Sequence, residues 1–146
     1  MAVKIEKKFD LKRIRFDFSK ELNLAGQIIR KDHVTRLEKG QGVDGGQLKE
    51  LKTATIKRKG FNQILVDTGK MRKLAFRKAD KKRQFVELFP DKRKNRNGVS
   101  NQQIGFYHQT GAGNLPERKW FGISKQAEKD SIKFVELKIE QELNRA

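Results

Sequence analysis

Cysteine is absent from the chain. That excludes a disulfide framework, a thiolate nucleophile and a cysteine-based zinc site. Histidine occurs only twice, fewer than the three or four clustered ligands of a usual metal centre. Long apolar runs are also missing. No segment approaches the roughly 20 apolar residues that span a bilayer, and the start, Met1-Ala2-Val3-Lys4-Ile5, lacks the apolar stretch of a signal peptide. The expectation is a soluble protein with no cofactor, no metal and no membrane partner.

The 146 residues fit one domain spanning 1–146. A domain of this size buries roughly 70% of the surface its unfolded chain exposes, so it carries a core without staples. That core is lean, because 35% of residues are hydrophobic and 36% are charged. Ten phenylalanines against one Tyr and one Trp suggest that Phe supplies much of the buried area. The net charge is +17. This balance favours polyanions and opposes self-association. It fits either a well-solvated basic surface or contact with nucleic acid or an acidic partner.

Apolar spacing outlines the elements. Residues 1–18 read as extended or irregular, with a strand near the start and 10–18 open between strand and helix. Ser19 looks like an N-cap. Leu22, Ala25, Ile28, Ile29, Val34 and Leu37 then repeat at helical spacing over about 20–39, and Gly40 closes the helix. Residues 40–47 form a glycine-rich loop, and Leu48 to Ile56 a short helix or turn. A helical turn through Met71 and Leu74 precedes two strands, about 74–79 and 84–89, joined by a hairpin turn at 79–83 and ended by Pro90. Residues 91–103 read as loop. Ser124 caps a last helix, roughly 125–143, with Ala127, Ile132, Val135, Ile139 and Leu143 as its buried stripe, widened by Phe134 and Leu137. The predicted fold is α+β, with long N-terminal and C-terminal helices packed on a small, mainly antiparallel sheet.

Few motifs carry chemistry. Gly69-Lys70 lacks the partners of a phosphate loop, since Ile64 stands where that motif needs glycine and Met71 where it needs Ser or Thr. His33 reads as a surface residue in mid-helix. His108 reads as a half-buried group bonded to a loop, with no nucleophile and orienting acid beside it. Asp44 and Asp67 precede glycine turns, where aspartate bonds nearby backbone N–H groups. No catalytic residue is expected. The basic clusters carry more: Arg77, Lys78, Lys81, Lys82 and Arg83 before the second strand, and Lys92, Arg93, Lys94 and Arg96 after it. Antiparallel pairing would gather them at one end or edge of the sheet. There they would bind DNA or another polyanion through phosphates, or keep a sheet edge from pairing with other chains. Aromatic residues do not interleave with them, so base stacking is not indicated.

A series of pieces resembles the phage virion morphogenesis family, the tail-completion proteins of the phage Mu G type. They are Asp44-Gly45 with Leu51, Thr55-Ile56-Lys57-Arg58-Lys59-Gly60, Leu65-Val66-Asp67-Thr68-Gly69-Lys70-Met71-Arg72, Phe106-Tyr107-His108-Gln109-Thr110-Gly111 and Pro116-Glu117-Arg118-Lys119-Trp120-Phe121-Gly122-Ile123-Ser124. Order and spacing agree over roughly residues 20–145. Leu48 departs from the Trp the family prefers, and Lys119-Trp120 replaces its Pro-Phe pair. The resemblance implies a non-enzymatic α+β virion subunit that completes the tail, terminates it or joins head to tail. It implies assembly in the host cytoplasm and action in a homo-oligomeric ring, a hexamer among the sizes that fit. Neighbouring tail and head-connector proteins are the implied partners. Gly111, Gly113, Asn114, Arg118 and Trp120 are the expected subunit or partner contacts, and the basic loops are placed for non-specific contact with phage DNA.

Overall fold

The computed structural model describes residues 17–65, 70–95 and 97–145. The strand expected near the start, Asp67 and Arg96 lie outside them.

Helix α1 spans Ser19–Glu38, within a residue of its predicted bounds. Its start corrects one expectation. Ser19 is the first helical residue and Phe18 the N-cap, while the Asp17 Oδ1 accepts the Ser19 N–H at 3.0 Å. Gly40 follows the last turn at φ 67°, the left-handed conformation that suits glycine there. A short helix α2 covers Thr53–Lys59, and a 3-10 turn covers Lys70–Arg72.

Strands β1 (Leu74–Arg77) and β2 (Glu87–Pro90) pair antiparallel, with Leu74 opposite Pro90 and Arg77 opposite Glu87. Both are shorter than predicted because the connection takes the intervening residues. Asp80 accepts the N–H groups of Lys82 and Arg83 through Oδ1, and its own N–H bonds to the Arg83 carbonyl. Pro90 belongs to β2, at its last position, where a missing N–H costs little on a sheet edge. The hairpin is tied to α1 by Asn23, whose amide donates to the Ala79 carbonyl and accepts the Ala79 N–H at 3.0 and 2.8 Å.

Helix α3, Asn101–Thr110, was not predicted as a helix. A capping box starts it: Ser100 Oγ accepts the Gln103 N–H, and Gln103 Oε1 accepts the Ser100 N–H. Helix α4, Lys125–Arg145, starts at Ser124, whose Oγ accepts the Ala127 N–H at 3.1 Å. The packing face of α4 differs from the predicted stripe. Ala127 and Ser131 are buried and Phe134 and Val135 half-buried, whereas Ile132, Leu137, Ile139 and Leu143 are exposed.

The architecture is α+β: among the described residues, four helices and a two-stranded antiparallel sheet. Helix α1 touches both α4 and the strands. It approaches the hairpin closely at Gly26, where a Cβ would stand 2.7 Å from the Phe76 ring and 2.8 Å from Val86. Ser124 Oγ, just before α4, donates to Asp32, and Ser131 Oγ on α4 donates to the Ala25 carbonyl, so the two helices run antiparallel. The core is lean, as the composition implies, but phenylalanine does not dominate it. Leu37, Leu48, Leu65 and Trp120 form its buried centre, with Ile64, Met71 and Phe121 packed around. Phe61, Phe85 and Phe106 are exposed. Among the described residues no helix is long and apolar enough to cross a membrane.

Candidate functional site

The segment after α3 is held by its own motif residues. Gln109 lies at the end of α3 and pairs with the returning chain. Its Oε1 accepts the N–H groups of Trp120 and Phe121 at 3.0 and 3.1 Å, and its Nε2 donates to the Phe121 carbonyl at 3.2 Å. The Arg118 N–H bonds to the His108 carbonyl at 2.7 Å. Trp120 is 1% exposed, and its indole N–H donates to the Gly105 carbonyl at 2.9 Å. A large ring with one polar handle thus buries its area while keeping its donor paired.

Arg118 is also buried, at 4% exposure. Its guanidinium reaches back to the loop before α2, donating to the carbonyls of Lys49 and Glu50 at 2.8 and 3.0 Å. The Val43 N–H bonds to the Lys119 carbonyl, so the glycine-rich 40–47 loop is fastened to the same strap. Asp44 acts there as predicted, with its Oδ1 accepting the Gly46 N–H. His108 Nδ1 lies 3.4 Å from Arg118 Nη1. Burial, then the charges of Arg118 and Lys59, hold the His108 pKa below its ordinary value.

His33 corrects the surface reading. It is fully buried, with its ring centroid 5.6 Å from that of Trp120 and its Nε2 3.4 Å from the Met71 carbonyl. Burial lowers its pKa to about 4. Beside it lies a network absent from the sequence-based expectation. Arg36, 6% exposed, donates through Nε to Asp32 at 2.8 Å and through Nη2 to the Gly122 carbonyl, while Asp32 accepts from Ser124 Oγ at 2.9 Å. The Asp32–Arg36 spacing of four along a helix was the available signal.

Between α2, the 3-10 turn, α3 and the 111–118 loop lies a cleft of about 1020 Å³. Five cations line it, Lys52, Arg58, Lys59, Lys70 and Arg118, and no carboxylate does so among the described residues. Among the described residues Arg118 meets backbone carbonyls and His108, and no carboxylate pairs with it. The remaining wall is apolar (Leu51, Leu65, Ile104, Leu115) and amide-bearing, including the buried Asn101, whose Nδ2 has no hydrogen-bond partner. No local sequence signal marks this cleft, because its walls are separated along the chain.

The expected contact residues separate by position. Asn114 is exposed at the cleft rim, Gly113 is exposed just before it, and Gly111 turns the chain out of α3 at φ 67°. Arg118 faces the cleft from a buried position. Trp120 belongs to the core and offers no surface to a partner, which corrects its place among the contacts.

The basic clusters are not gathered at one end of the sheet. The antiparallel register sets Lys78, Lys81, Lys82 and Arg83 beyond Arg77 and Glu87, and Lys92, Arg93 and Lys94 beyond Leu74 and Pro90. The ladder between them is about 10 Å long. Arg77 pairs with Glu87 at 2.7 Å, Arg83 with Asp80, and Arg93 with Asp91. Among the described residues Lys78, Lys81, Lys82 and Lys94 face no carboxylate, and Lys92 lies 5.4 Å over the Phe89 ring. Compared with known proteins, the chain matches no family model, no curated protein and no solved structure.

Proposed function

We propose that the chain is a non-enzymatic structural subunit of a tailed-phage particle. In this reading it completes or terminates the tail, or joins it to the head, as a homo-oligomeric ring at the head–tail interface. The observation that carries the reading is the ordered series of family-like pieces from Asp44 to Ser124. Their arrangement in space supports it. Pieces far apart along the chain meet at one cleft: Leu51; Thr55, Arg58 and Lys59; Leu65, Lys70 and Met71; His108; Pro116 and Arg118. The departure at Leu48 falls in the same core cluster as Trp120. The polar motif side chains are occupied with holding backbone: Gln109 with Trp120 and Phe121, and Arg118 with Lys49 and Glu50. A scaffold that fixes loops rigidly for contact suits a joining subunit.

The test is sedimentation of the purified chain with tails of the phage that encodes it. The expected outcome is co-sedimentation with the tails at a fixed stoichiometry. A chain that remains in the supernatant at every tail concentration overturns the reading.

The unneutralised lysines favour a second reading, sequence-independent nucleic-acid binding. It expects DNA affinity that falls steeply with salt, and loss of that affinity when Lys81, Lys82, Lys92 and Arg93 are changed to Glu. Absence of binding at low salt removes it.

A further inference from the structure

We propose that Asn97-Gly98 is a site of spontaneous covalent modification, at which the Gly98 nitrogen attacks the Asn97 side-chain amide, and that Asn95 is the latch that sets its rate. The site goes beyond the structural role proposed above and does not depend on it.

The chain holds a single Asn-Gly step. An asparagine amide carbon and the next backbone nitrogen are spaced to close a five-membered ring, and an intramolecular nucleophile gains greatly from such proximity. A Cβ on the following residue hinders the approach, and glycine has none. Attack at Asn97 Cγ forms the bond from Gly98 N to Cγ and breaks the bond from Cγ to Nδ2. The Gly98 amide proton leaves to solvent, and the Nδ2 group departs as ammonia with a proton returned by solvent. Water then opens the cyclic imide at either carbonyl. One opening gives an aspartate side chain, and the other routes the backbone through the former side chain. The balance is one water in and one ammonia out.

The structure frees the electrophile and restrains the nucleophile. The Asn95 N–H donates to the Val99 carbonyl at 2.8 Å, and the Asn95 carbonyl accepts the Gly98 N–H at 3.1 Å. Asn95 Oδ1 accepts the N–H groups of Asn97 and Val99 at 2.9 and 3.0 Å. The Asn97 side chain, by contrast, has no hydrogen-bond partner among the described residues. Asn97 and Gly98 are both exposed. The space around Gly98 is open, because a Cβ built there would meet no heavy atom within 4 Å. Attack therefore waits on one bond, from the Gly98 N–H to Asn95, and bonds in an exposed turn open at low cost. Lys92 and Lys94 are exposed in the same loop, and nearby positive charge favours loss of the Gly98 amide proton. The products change the surface. Asn97 lines the cleft with Arg58 and Lys70, so a carboxylate arrives on a basic wall. The rerouted backbone lengthens the chain just before the Ser100 cap of α3.

The test incubates the folded full chain at stepped pH, from neutral to mildly alkaline, and follows it by cation-exchange chromatography and mass-spectrometric peptide mapping. The expected product elutes earlier, carries the mass change of NH2 replaced by OH, and maps to position 97 before any other asparagine. Its rate is expected to rise in proportion to hydroxide, and Asn97→Ala is expected to lack it. Asn95→Ala removes the two side-chain bonds that hold the turn, and is expected to raise the rate about tenfold. Asn95→Asp keeps an accepting oxygen and is expected to stay near the wild-type rate. Thermal melts check that the variants fold, and Asn95→Ser, which also lacks the reach for these bonds, repeats the measurement if the alanine variant does not. No product at position 97 in the folded chain by the time the guanidinium-unfolded chain has converted, or a different asparagine reacting first, overturns the site. Folded Asn95 variants that react at the wild-type rate overturn the latch.

Discussion

His33 and Arg118 illustrate how position overrides residue type. Both are polar, and both are buried against Trp120 or the strap that carries it. An imidazole in mid-helix reads as surface because nothing in Lys31-Asp32-His33-Val34 marks the burial. The distant Trp120 and Phe121 rings, brought in by the 111–124 segment, and the Met71 carbonyl enclose it. The burial has a pH consequence. In the unfolded chain the ring takes up a proton near pH 6.5, but in the folded chain only near pH 4. The unfolded state therefore binds more protons between these values. Stability is full above pH 6.5 and is lost as the pH falls toward 4, by about 3 kcal/mol in total. His108, also held below its ordinary pKa, acts in the same direction. Urea unfolding at stepped pH is expected to show this decline in the wild type and most of it removed in His33→Leu. An unchanged slope in the variant would assign the acid sensitivity to other groups.

At the scale of elements, local signals succeeded where one residue or one period decides the outcome. The helical spacing of Ala25 and Leu37 located α1, Ser124 located α4, and Gly40 marked a helix end. Helix α3 was missed although Ser100 and Gln103 form a readable capping box, because Gly105 and the polar residues around it weaken the periodicity. The same glycine explains how α3 docks. A Cβ there would lie 2.5 Å from Trp120 Cζ2 and 3.3 Å from Met71 Cε. Gly105→Ala gains helix propensity but forces a rigid indole out of a packed core, an overpacking cost of about 2 kcal/mol. The expected result is a urea midpoint lower than wild type; a midpoint that rises would mean the α3–Trp120 interface has room. The buried face of α4 was misassigned for a different reason. Its apolar residues are spread around much of the helix, and tertiary packing selected the side bearing Ala127 and Ser131.

At the scale of the molecule, the α+β class followed from the order of the elements, while the cleft needed the fold. Residues from Leu51 to Arg118 contribute to it, and only tertiary structure gathers its five cations. The basic clusters show the opposite limit. Both were evident in the sequence, but the strand register places them at opposite ends of the ladder. That arrangement gives the lysines of 78–82 and those of 92–94 separate surfaces. Reversing either group alone is therefore expected to leave part of any DNA affinity in place, as a binding titration at low salt would measure. Complete loss on reversing one group would mean that the other contributes nothing.

The proposed role, a ring-forming subunit of the head–tail junction, is tested most directly by electron microscopy of the purified chain mixed with tails of the phage that encodes it. The expected image is a ring of density on the end of the tail that faces the head. Tails with bare ends at saturating protein, alongside a chain that forms no rings, would contradict it.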